Sequence, residues 1–219
     1  MVRDLADLVG SYKIGNQLFT AEGPRAVEKL ASLGVGVFLD LKYHDIPNTV
    51  AKAVAAAAGL PNVRLLTLHA GGGTAMMRAA SEAVAGLNNR PSLLGVTILT
   101  SLGSSALREL RLPGPVTSRA VALARLAKKA GLDGAVSSAR EAPAIRRVCG
   151  RDFLILVPGV RPANAAAHDQ SRVATPAEAI HAGADYLVVG RPITAAANPR
   201  QAAQSILDEI TSALPVRRS

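Results

Sequence analysis

The feature that most constrains the fold is a repeated alternation of short β-branched runs with alanine-rich stretches of helical period. Seven strands are predicted, over residues 11–15, 35–41, 63–69, 93–99, 132–138, 153–159 and 185–190. Helices are predicted near residues 22–33, 48–59, 73–86, 117–130, 138–148, 175–182 and 198–213. Because the strands are almost continuously apolar and each is followed by a helix, the pattern predicts a parallel sheet covered by helices.

The number of strands favours a barrel. A closed (β/α)8 barrel needs eight strands, and the segment RDLADLVG (residues 3–10) is typical of a helix end ahead of the first predicted strand. We therefore expect a single barrel domain over residues 1–219 that lacks its first strand at the N-terminus. An open, doubly wound sheet is the competing fold. No G-x-G-x-x-G segment follows a predicted strand, which weakens the dinucleotide-binding version of that alternative.

Charge and aromatic content argue against a nucleic-acid-binding protein. Lys and Arg outnumber Asp and Glu by 25 to 16, but aromatic residues make up only 3% of the chain and the arginines are scattered. Nucleic-acid-binding surfaces usually cluster basic side chains with aromatic rings that stack on bases. The net charge of +9 fits small anionic ligands at least as well, so no nucleic-acid partner is expected.

The chain shows no sign of a membrane or secreted protein. No apolar run approaches the ~20 residues of a membrane span, and the N-terminal segment, which carries Asp4 and Asp7, has no apolar signal-peptide core. Cys149 is the only cysteine, which excludes an internal disulfide and a thiolate metal cluster. We expect a cytoplasmic protein with no membrane partner.

Polar residues and residues typical of turns recur at the carboxyl ends of the predicted strands. They are, in chain order, Asp40, Lys42, His69, Thr100, Ser137, Ser138, Pro158, Gly159, Gly190 and Arg191. The carboxyl ends of parallel barrel strands form one face of the molecule, and that face carries the active site in this class of fold. Their repetition therefore predicts a catalytic or binding site there.

Charged side chains crowd the end of the second predicted strand. Asp40 and Lys42 are two residues apart, so they face the same side of an extended strand, roughly 6.6 Å apart along the chain. Lys13 lies within the first predicted strand, where an unpaired ammonium would be costly, and Asp40 on the adjacent strand is its obvious partner. The convergence of these three residues favours a functional site over a lone structural ion pair.

Two nearby residues each allow two interpretations. Asp45 lies beyond the strand end, just before Pro47, so its local sequence fits a helix cap as well as a site residue. His69 precedes the glycines at 71–73, and it is either a ligand contact or a hydrogen-bonded histidine above a tight turn.

The last two predicted strands are followed by arginine-containing loops, VPGVRP with Arg161 and VVGRPIT with Arg191. Barrels commonly bind phosphate through the loops after their last two strands and a helix N-terminus. Gly190 would let backbone N–H groups approach an anion, and a guanidinium offers a planar fork of donors. Either segment alone could be only a turn, but two arginines on adjacent loops favour a phosphate site.

Seven segments of the chain resemble, in order and spacing, those of the orotidine 5'-phosphate decarboxylase family. They are YKIGNQLFTAEGP (12–24), DLKYHDIPNT (40–49), LTLHAGGG (66–73), VTILTSL (96–102), VPGVRP (157–162), DQSRVATPAEAI (169–180) and ADYLVVGRPIT (184–194). The ten-residue segment 40–49 is the most specific of them. The family normally begins with a further strand, ending in an aspartate that contacts the ribose, and this sequence shows no counterpart.

The resemblance implies roles for individual residues. Lys13, Asp40 and Lys42 match the family's charged network, with Lys42 as the proton donor. Asp45 and Thr49 match residues that enter the neighbouring subunit's site, so a homodimer is implied, with Thr49 directed toward the ribose. The positions matched to the pyrimidine and the phosphate are Thr100, Arg161, Gln170, Gly190 and Arg191.

The function implied is decarboxylation of orotidine 5'-phosphate to uridine 5'-phosphate in pyrimidine biosynthesis, without a metal or cofactor. One alternative is a metal-dependent sugar-phosphate decarboxylase of the same barrel type, similar to keto-gulonate phosphate decarboxylase, which shares the Asp-x-Lys-x-x-Asp core. The other is a non-catalytic barrel that binds nucleotide phosphates. The IPNT and VTILTSL segments favour orotidine 5'-phosphate.

Overall fold

A computed structural model of the chain describes residues 1–112, 114–162 and 173–214. It contains one seven-stranded sheet, whose strands lie in sequence order and pair in parallel at every step. The strands are β1 (Ser11–Gly15), β2 (Gly36–Tyr43), β3 (Val63–His69), β4 (Ser92–Val96), β5 (Gly134–Val136), β6 (Leu154–Pro158) and β7 (Tyr186–Val188). A doubly wound sheet reverses its strand order at a switch point, so the uninterrupted order excludes that alternative.

Helices connect the strands and cover the outer face of the sheet. The described residues form α1 (Val2–Leu5), α2 (Asn16–Glu22), α3 (Pro24–Ala31), α4 (Pro47–Ala58), α5 (Gly73–Glu82), α6 (Ser104–Glu109), α7 (Val116–Lys129), α8 (Ala142–Cys149), α9 (Pro176–His181), α10 (Arg191–Thr194) and α11 (Pro199–Ala213). A short 3₁₀ helix, Ala70–Gly72, precedes α5. None of the described helices is both long enough and apolar enough to cross a membrane.

All seven predicted strands and all seven predicted helices are present, with shifted ends. The helix predicted over residues 22–33 corresponds to α3, and a separate helix, α2, ends ahead of it at Glu22, because Gly23 adopts a φ of +60° that interrupts the helix. Pro24 then begins the second helix, where its missing N–H costs nothing. The short helices α2, α6 and α10 were not predicted, since four to seven residues carry too little periodicity.

Both faces of the sheet are buried, which explains the nearly continuous apolar strands. Along β2, Val37 and Leu39 pack into the large cluster between sheet and helices, whereas Phe38 between them faces the opposite side. That opposite side is an apolar layer to which each of β2 to β7 contributes. Its members are Phe38, Leu65, Leu94, Val136, Leu154, Leu156 and Val188. This inner layer is the base on which the site is built.

The sheet curls until its first and last strands approach each other. Lys13 of β1 and Val188 of β7 line the same cavity, and Leu5 of α1 packs in one cluster with Ile206 of α11. A curled, all-parallel sheet with outer helices is the architecture of the TIM-barrel class. The expectation that an eighth strand is missing ahead of β1 stays a prediction.

Candidate active site

A cavity of about 380 Å³ opens at the carboxyl ends of the strands. The inner apolar layer contributes Phe38, Val136, Leu156 and Val188 to its lining. The polar residues that line it are Lys13, Asp40, Lys42, Thr100, Ser137, Arg161 and Arg191. An apolar base with a few converging polar groups, in a volume of this size, is typical of a small-molecule site.

Asp40 is the centre of the charged part of the cavity. Its Oδ2 accepts a hydrogen bond of 2.8 Å from Nζ of Lys42 and lies 3.6 Å from Nζ of Lys13. The Asp40 side chain is only 12% exposed, whereas those of Lys13 and Lys42 are 39% and 30% exposed. The pairing predicted between neighbouring strands is therefore present, and one largely buried carboxylate faces two ammonium groups.

Space for the Lys13 ammonium depends on Gly15. Gly15 lies two residues beyond Lys13 and ends β1, so both residues face the same side of the strand. A β-carbon at position 15 would lie 2.9 Å from Nζ of Lys13. A residue with a β-carbon there would require the Lys13 ammonium to shift from this position.

Lys42 departs from the regular strand that the sequence predicts. Its φ is +51°, in the left-handed region that non-glycine residues rarely adopt, and the β2–β3 pairing shifts register between Leu39 and Tyr43. A residue held in this conformation costs about 1–2 kcal/mol, and such residues concentrate at functional sites. The backbone N–H of Lys42 donates to Oγ1 of Thr67 at 3.0 Å.

Thr67 is a site-supporting residue that the sequence analysis missed. It is fully buried in β3, and its hydroxyl donates to Oδ1 of Asp40 at 2.9 Å. The signal available was its register: Thr67 follows the inner-layer residue Leu65 by two positions, as Asp40 follows Phe38. Side chains two apart on a strand face the same side, so both project from the inner layer.

The opposite end of the cavity carries the two predicted arginines. Arg161 is buried, its Nη1 donates to the carbonyl of Val160 at 3.2 Å, and its buried Nε has no hydrogen-bond partner among the described residues. Gly190 and Arg191 line the same cavity at the start of α10. Two guanidinium groups beside a glycine-containing turn form an arrangement suited to a phosphate.

Comparison with known proteins identifies the family. Residues 1–206 match the model described as Orotidine 5'-phosphate decarboxylase / HUMPS family. The chain belongs to this family. It is 55% identical over 211 residues to an orotidine 5'-phosphate decarboxylase of Trichlorobacter lovleyi, covering 95% of this chain and 87% of that protein. The enzyme of the same name from Syntrophotalea carbinolica is 55% identical over 218 residues, covering 97% and 89%.

Two solved structures have a similar fold. The crystal structure of orotidine 5'-phosphate decarboxylase from Lactobacillus acidophilus aligns with a TM-score of 0.80 and 37% identity, covering 90% of this chain and 85% of that one. A conserved protein of Geobacillus kaustophilus, described as uncharacterized, also aligns with a TM-score of 0.80 and 37% identity, covering 95% and 93%.

Two of the family-matched residues lie away from the cavity lining. Asp45 and Thr49 are exposed on the segment that leads into α4 and do not line the cavity. Asp45 accepts the N–H of Ile46 at 2.6 Å, but α4 begins at Pro47 with Ile46 as its N-cap residue, so Asp45 is not the cap of this helix. Gln170 lies outside the described residues.

His69 packs beside another histidine and does not line the cavity. Its ring centroid is 5.2 Å from that of His44. Burial lowers the pKa of His69, the charges of His44 and Lys42 lower it further, and the Asp40 carboxylate opposes them. The neutral imidazole is therefore favoured, and the structure supports a packing role for His69 above the turn at Ala70–Gly72.

Proposed function

We propose that this chain decarboxylates orotidine 5'-phosphate to uridine 5'-phosphate in pyrimidine nucleotide biosynthesis, without a metal or cofactor. The observation that carries the proposal is the buried Asp40 carboxylate between Lys13 and Lys42, in a cavity whose other end presents Arg161 and Arg191. The curated relatives that are 50–55% identical carry the name of this activity. Site chemistry and relatives thus support the same reaction.

Lys42 is the proton donor in this proposal. When the bond between C6 of the pyrimidine and the carboxylate breaks, CO2 leaves and the electron pair stays on C6. The Lys42 ammonium stabilises this negative charge and then transfers a proton to C6, which leaves a neutral amine that solvent reprotonates. Its 2.8 Å hydrogen bond to Asp40 keeps the ammonium oriented before the reaction begins.

Asp40 has two roles in the proposal. It holds Lys42 charged and oriented, and it lies near the substrate carboxylate, where like-charge repulsion disfavours the charged ground state. Lys13, 3.6 Å from the same oxygen of Asp40, balances that carboxylate before substrate binds. The three residues therefore act as one network.

The arginine end of the cavity binds the phosphate. The phosphate is bound by Arg161, Gln170, Gly190 and Arg191. Thr100 lies beside the pyrimidine. The phosphate is remote from the bond that breaks, so its binding energy can be used to close the site and exclude water. Loss of a phosphate contact should therefore lower the rate of the chemical step as well as affinity.

We further propose that the active unit is a homodimer of subunits of the (β/α)8-barrel type that lack the first strand, in which Asp45 and Thr49 enter the partner's cavity. Both residues are exposed and lie outside their own cavity. Between them, the apolar side chain of Ile46 is 66% exposed. An apolar side chain flanked by polar groups is a composition suited to a protein interface.

A metal-dependent sugar-phosphate decarboxylase is the second candidate, because the matching family model also covers the HUMPS group. The experiment compares turnover of orotidine 5'-phosphate, followed by loss of orotate absorbance in EDTA, with turnover of a keto-gulonate phosphate with and without Mg²⁺. We expect turnover of the nucleotide in EDTA and none of the sugar phosphate. The reverse result would establish the second candidate, and binding of uridine 5'-phosphate without any turnover would indicate a non-catalytic barrel.

A further inference from the structure

The two carboxylate oxygens of Asp40 have different partners. Oδ2 faces the ammonium groups of Lys42, at 2.8 Å, and Lys13, at 3.6 Å. Oδ1 accepts the hydroxyl hydrogen of Thr67 at 2.9 Å. The terminal torsion of an aspartate is soft and roughly two-fold, so a fixed partner on one oxygen decides which way the other oxygen points.

The Thr67 hydroxyl also holds the backbone of Lys42. Its oxygen accepts the N–H of Lys42 at 3.0 Å, at the point where Lys42 has a φ of +51° and the β2–β3 pairing shifts register. A lysine in this conformation needs support from its surroundings, because the left-handed region is unfavourable for residues with a β-carbon. The Thr67 hydroxyl supplies that support at the position where ladder pairing is interrupted.

Three hydrogen bonds form a closed ring that passes through the Thr67 hydroxyl. The Lys42 N–H donates to Thr67, the Thr67 hydroxyl donates to Asp40, and Asp40 accepts the ammonium of the same Lys42. Thr67 is fully buried and is not among the residues lining the cavity. In such surroundings a lost hydrogen bond is not readily replaced by water, so the hydrogen-bonded ring depends on the Thr67 side chain.

The geometry points to Thr67 as a positioning residue, which sets the direction of the Lys42 ammonium through the Asp40 carboxylate and the Lys42 backbone. This inference rests on the proposed decarboxylase function and adds to it a residue that does not touch the substrate. Because Arg161 and Arg191 bind the phosphate independently of Thr67, the effect should fall on kcat and leave nucleotide binding unchanged.

The test compares four proteins: the wild-type chain, Thr67→Val, Thr67→Ser and Thr97→Val. Valine matches the shape of threonine without its hydroxyl, and serine keeps the hydroxyl. Thr97 is the matched control, because it is also buried and its hydroxyl donates to the carbonyl of Val136 at 2.8 Å. We measure kcat and KM for orotidine 5'-phosphate, the Kd of uridine 5'-phosphate and the Tm.

Thr67→Val should lower kcat by roughly 10- to 100-fold, the effect of one lost hydrogen bond to a charged group. KM and the Kd of uridine 5'-phosphate should stay within about two-fold of wild type, since the substitution removes no contact to the bound nucleotide. Thr67→Ser should restore most of kcat, and Thr97→Val should retain it. Should Thr67→Val fail to fold, Thr67→Cys fills similar space with only a weak S–H donor and should show the same selective loss of kcat.

The inference alone would be overturned by a folded Thr67→Val enzyme with wild-type kcat, or by equal losses of kcat in Thr67→Val and Thr97→Val. A Thr67→Ser enzyme as impaired as Thr67→Val would also overturn it, because the hydroxyl would then not be the active feature. Absence of turnover by the wild-type chain would instead overturn the proposed function, and this role with it.

Discussion

Lys42 and Asp45 are three residues apart in the sequence, yet only Lys42 lines the cavity. Lys42 turns its ammonium toward Asp40, whereas Asp45 lies on the exposed segment ahead of α4. If both residues act in one reaction, Asp45 must act in another subunit's site. This arrangement makes the dimer a testable part of the chemistry.

Subunit complementation tests that arrangement. Lys42→Ala and Asp45→Asn chains should each form dimers of very low activity. When the two chains are mixed under conditions that exchange subunits, half of the dimers are hybrids, and each hybrid contains one intact site. The mixture should regain about a quarter of wild-type activity, as two-fold symmetry requires. The measurement is specific activity after exchange, with hybrid formation checked by tagged chains.

A second mixture is the control for complementation. Lys42→Ala and Asp40→Asn alter residues that lie in the same cavity of one chain, so every site of their hybrid carries one lesion and no activity should return. Hybrid dimers of Lys42→Ala with Asp45→Asn that stay inactive would show that Asp45 does not serve the partner's site.

Arg191→Ala should reduce kcat/KM for orotidine 5'-phosphate by about 100-fold, the effect of losing a hydrogen-bonded charge partner of the phosphate. Orotidine, which lacks the phosphate, should be turned over equally slowly by the variant and the wild type. The control is Arg147→Ala, an exposed arginine on α8 that is absent from the cavity lining. An unchanged kcat/KM in Arg191→Ala would exclude Arg191 from the phosphate site.

The fold could be predicted because each strand carries its own signal. Strands buried on both faces must be apolar almost throughout, and the helices between them keep a period of 3.6. The site could be placed for a related reason: all carboxyl ends of a parallel sheet meet at one face, so Asp40 and Arg191 come together although they are far apart in sequence. Local sequence was sufficient for these features.

Other features depend on tertiary contacts that the sequence does not display. Thr67 has high β-propensity, so a threonine inside LLTLH looks like an ordinary strand residue until Asp40 is seen beside it. The positive φ of Lys42 accompanies the register shift between β2 and β3. No local sequence pattern predicts that shift. Asp45 could not be placed by local geometry, since its proposed site belongs to another subunit.

Arg146 should be a major stabilising residue of the part of the barrel built by α8 and β6. Its guanidinium donates at 2.7–2.9 Å to four backbone carbonyls and also pairs with Asp185. The four carbonyls belong to Gly150, Arg151, Phe153 and Gly183. Arg146→Ala should lower the free energy of unfolding by about 2–4 kcal/mol, because several acceptors lose a charged donor together.

The neighbouring Arg147 is the matched control for this prediction. It is exposed on the same helix, so Arg147→Ala should change the free energy of unfolding by no more than about 0.5 kcal/mol. Urea unfolding of both variants measures the difference. Equal stability of the two variants would show that the Arg146 contacts contribute little.

His69 should make the fold less stable in mild acid. Its pKa is lowered from the ordinary value of 6.5, first by burial and then by the charges of His44 and Lys42. Near and below that ordinary value the unfolded chain binds the proton more readily than the folded chain. The free energy of unfolding therefore decreases as the pH is lowered. His69→Gln should lose less stability than wild type between about pH 7.5 and pH 5.5.

Urea unfolding at several pH values measures this dependence. His181→Gln is the control, because His181 is exposed on α9, and it should follow the wild-type curve. Identical pH dependence in wild type and His69→Gln would mean that His69 keeps the same proton affinity in both states.

In the proposed reaction Lys42 acts as the proton donor of a metal-independent decarboxylation. The most direct measurement is the loss of orotate absorbance from orotidine 5'-phosphate in EDTA, with wild type, Lys42→Ala and Lys29→Ala, the last being an exposed lysine on α3. Wild type and Lys29→Ala should turn over equally, and Lys42→Ala should be slower by about 1,000-fold, within the range for loss of a general acid. Equal turnover by Lys42→Ala, or wild-type turnover that requires a metal, would exclude Lys42 as the proton donor of a metal-independent reaction.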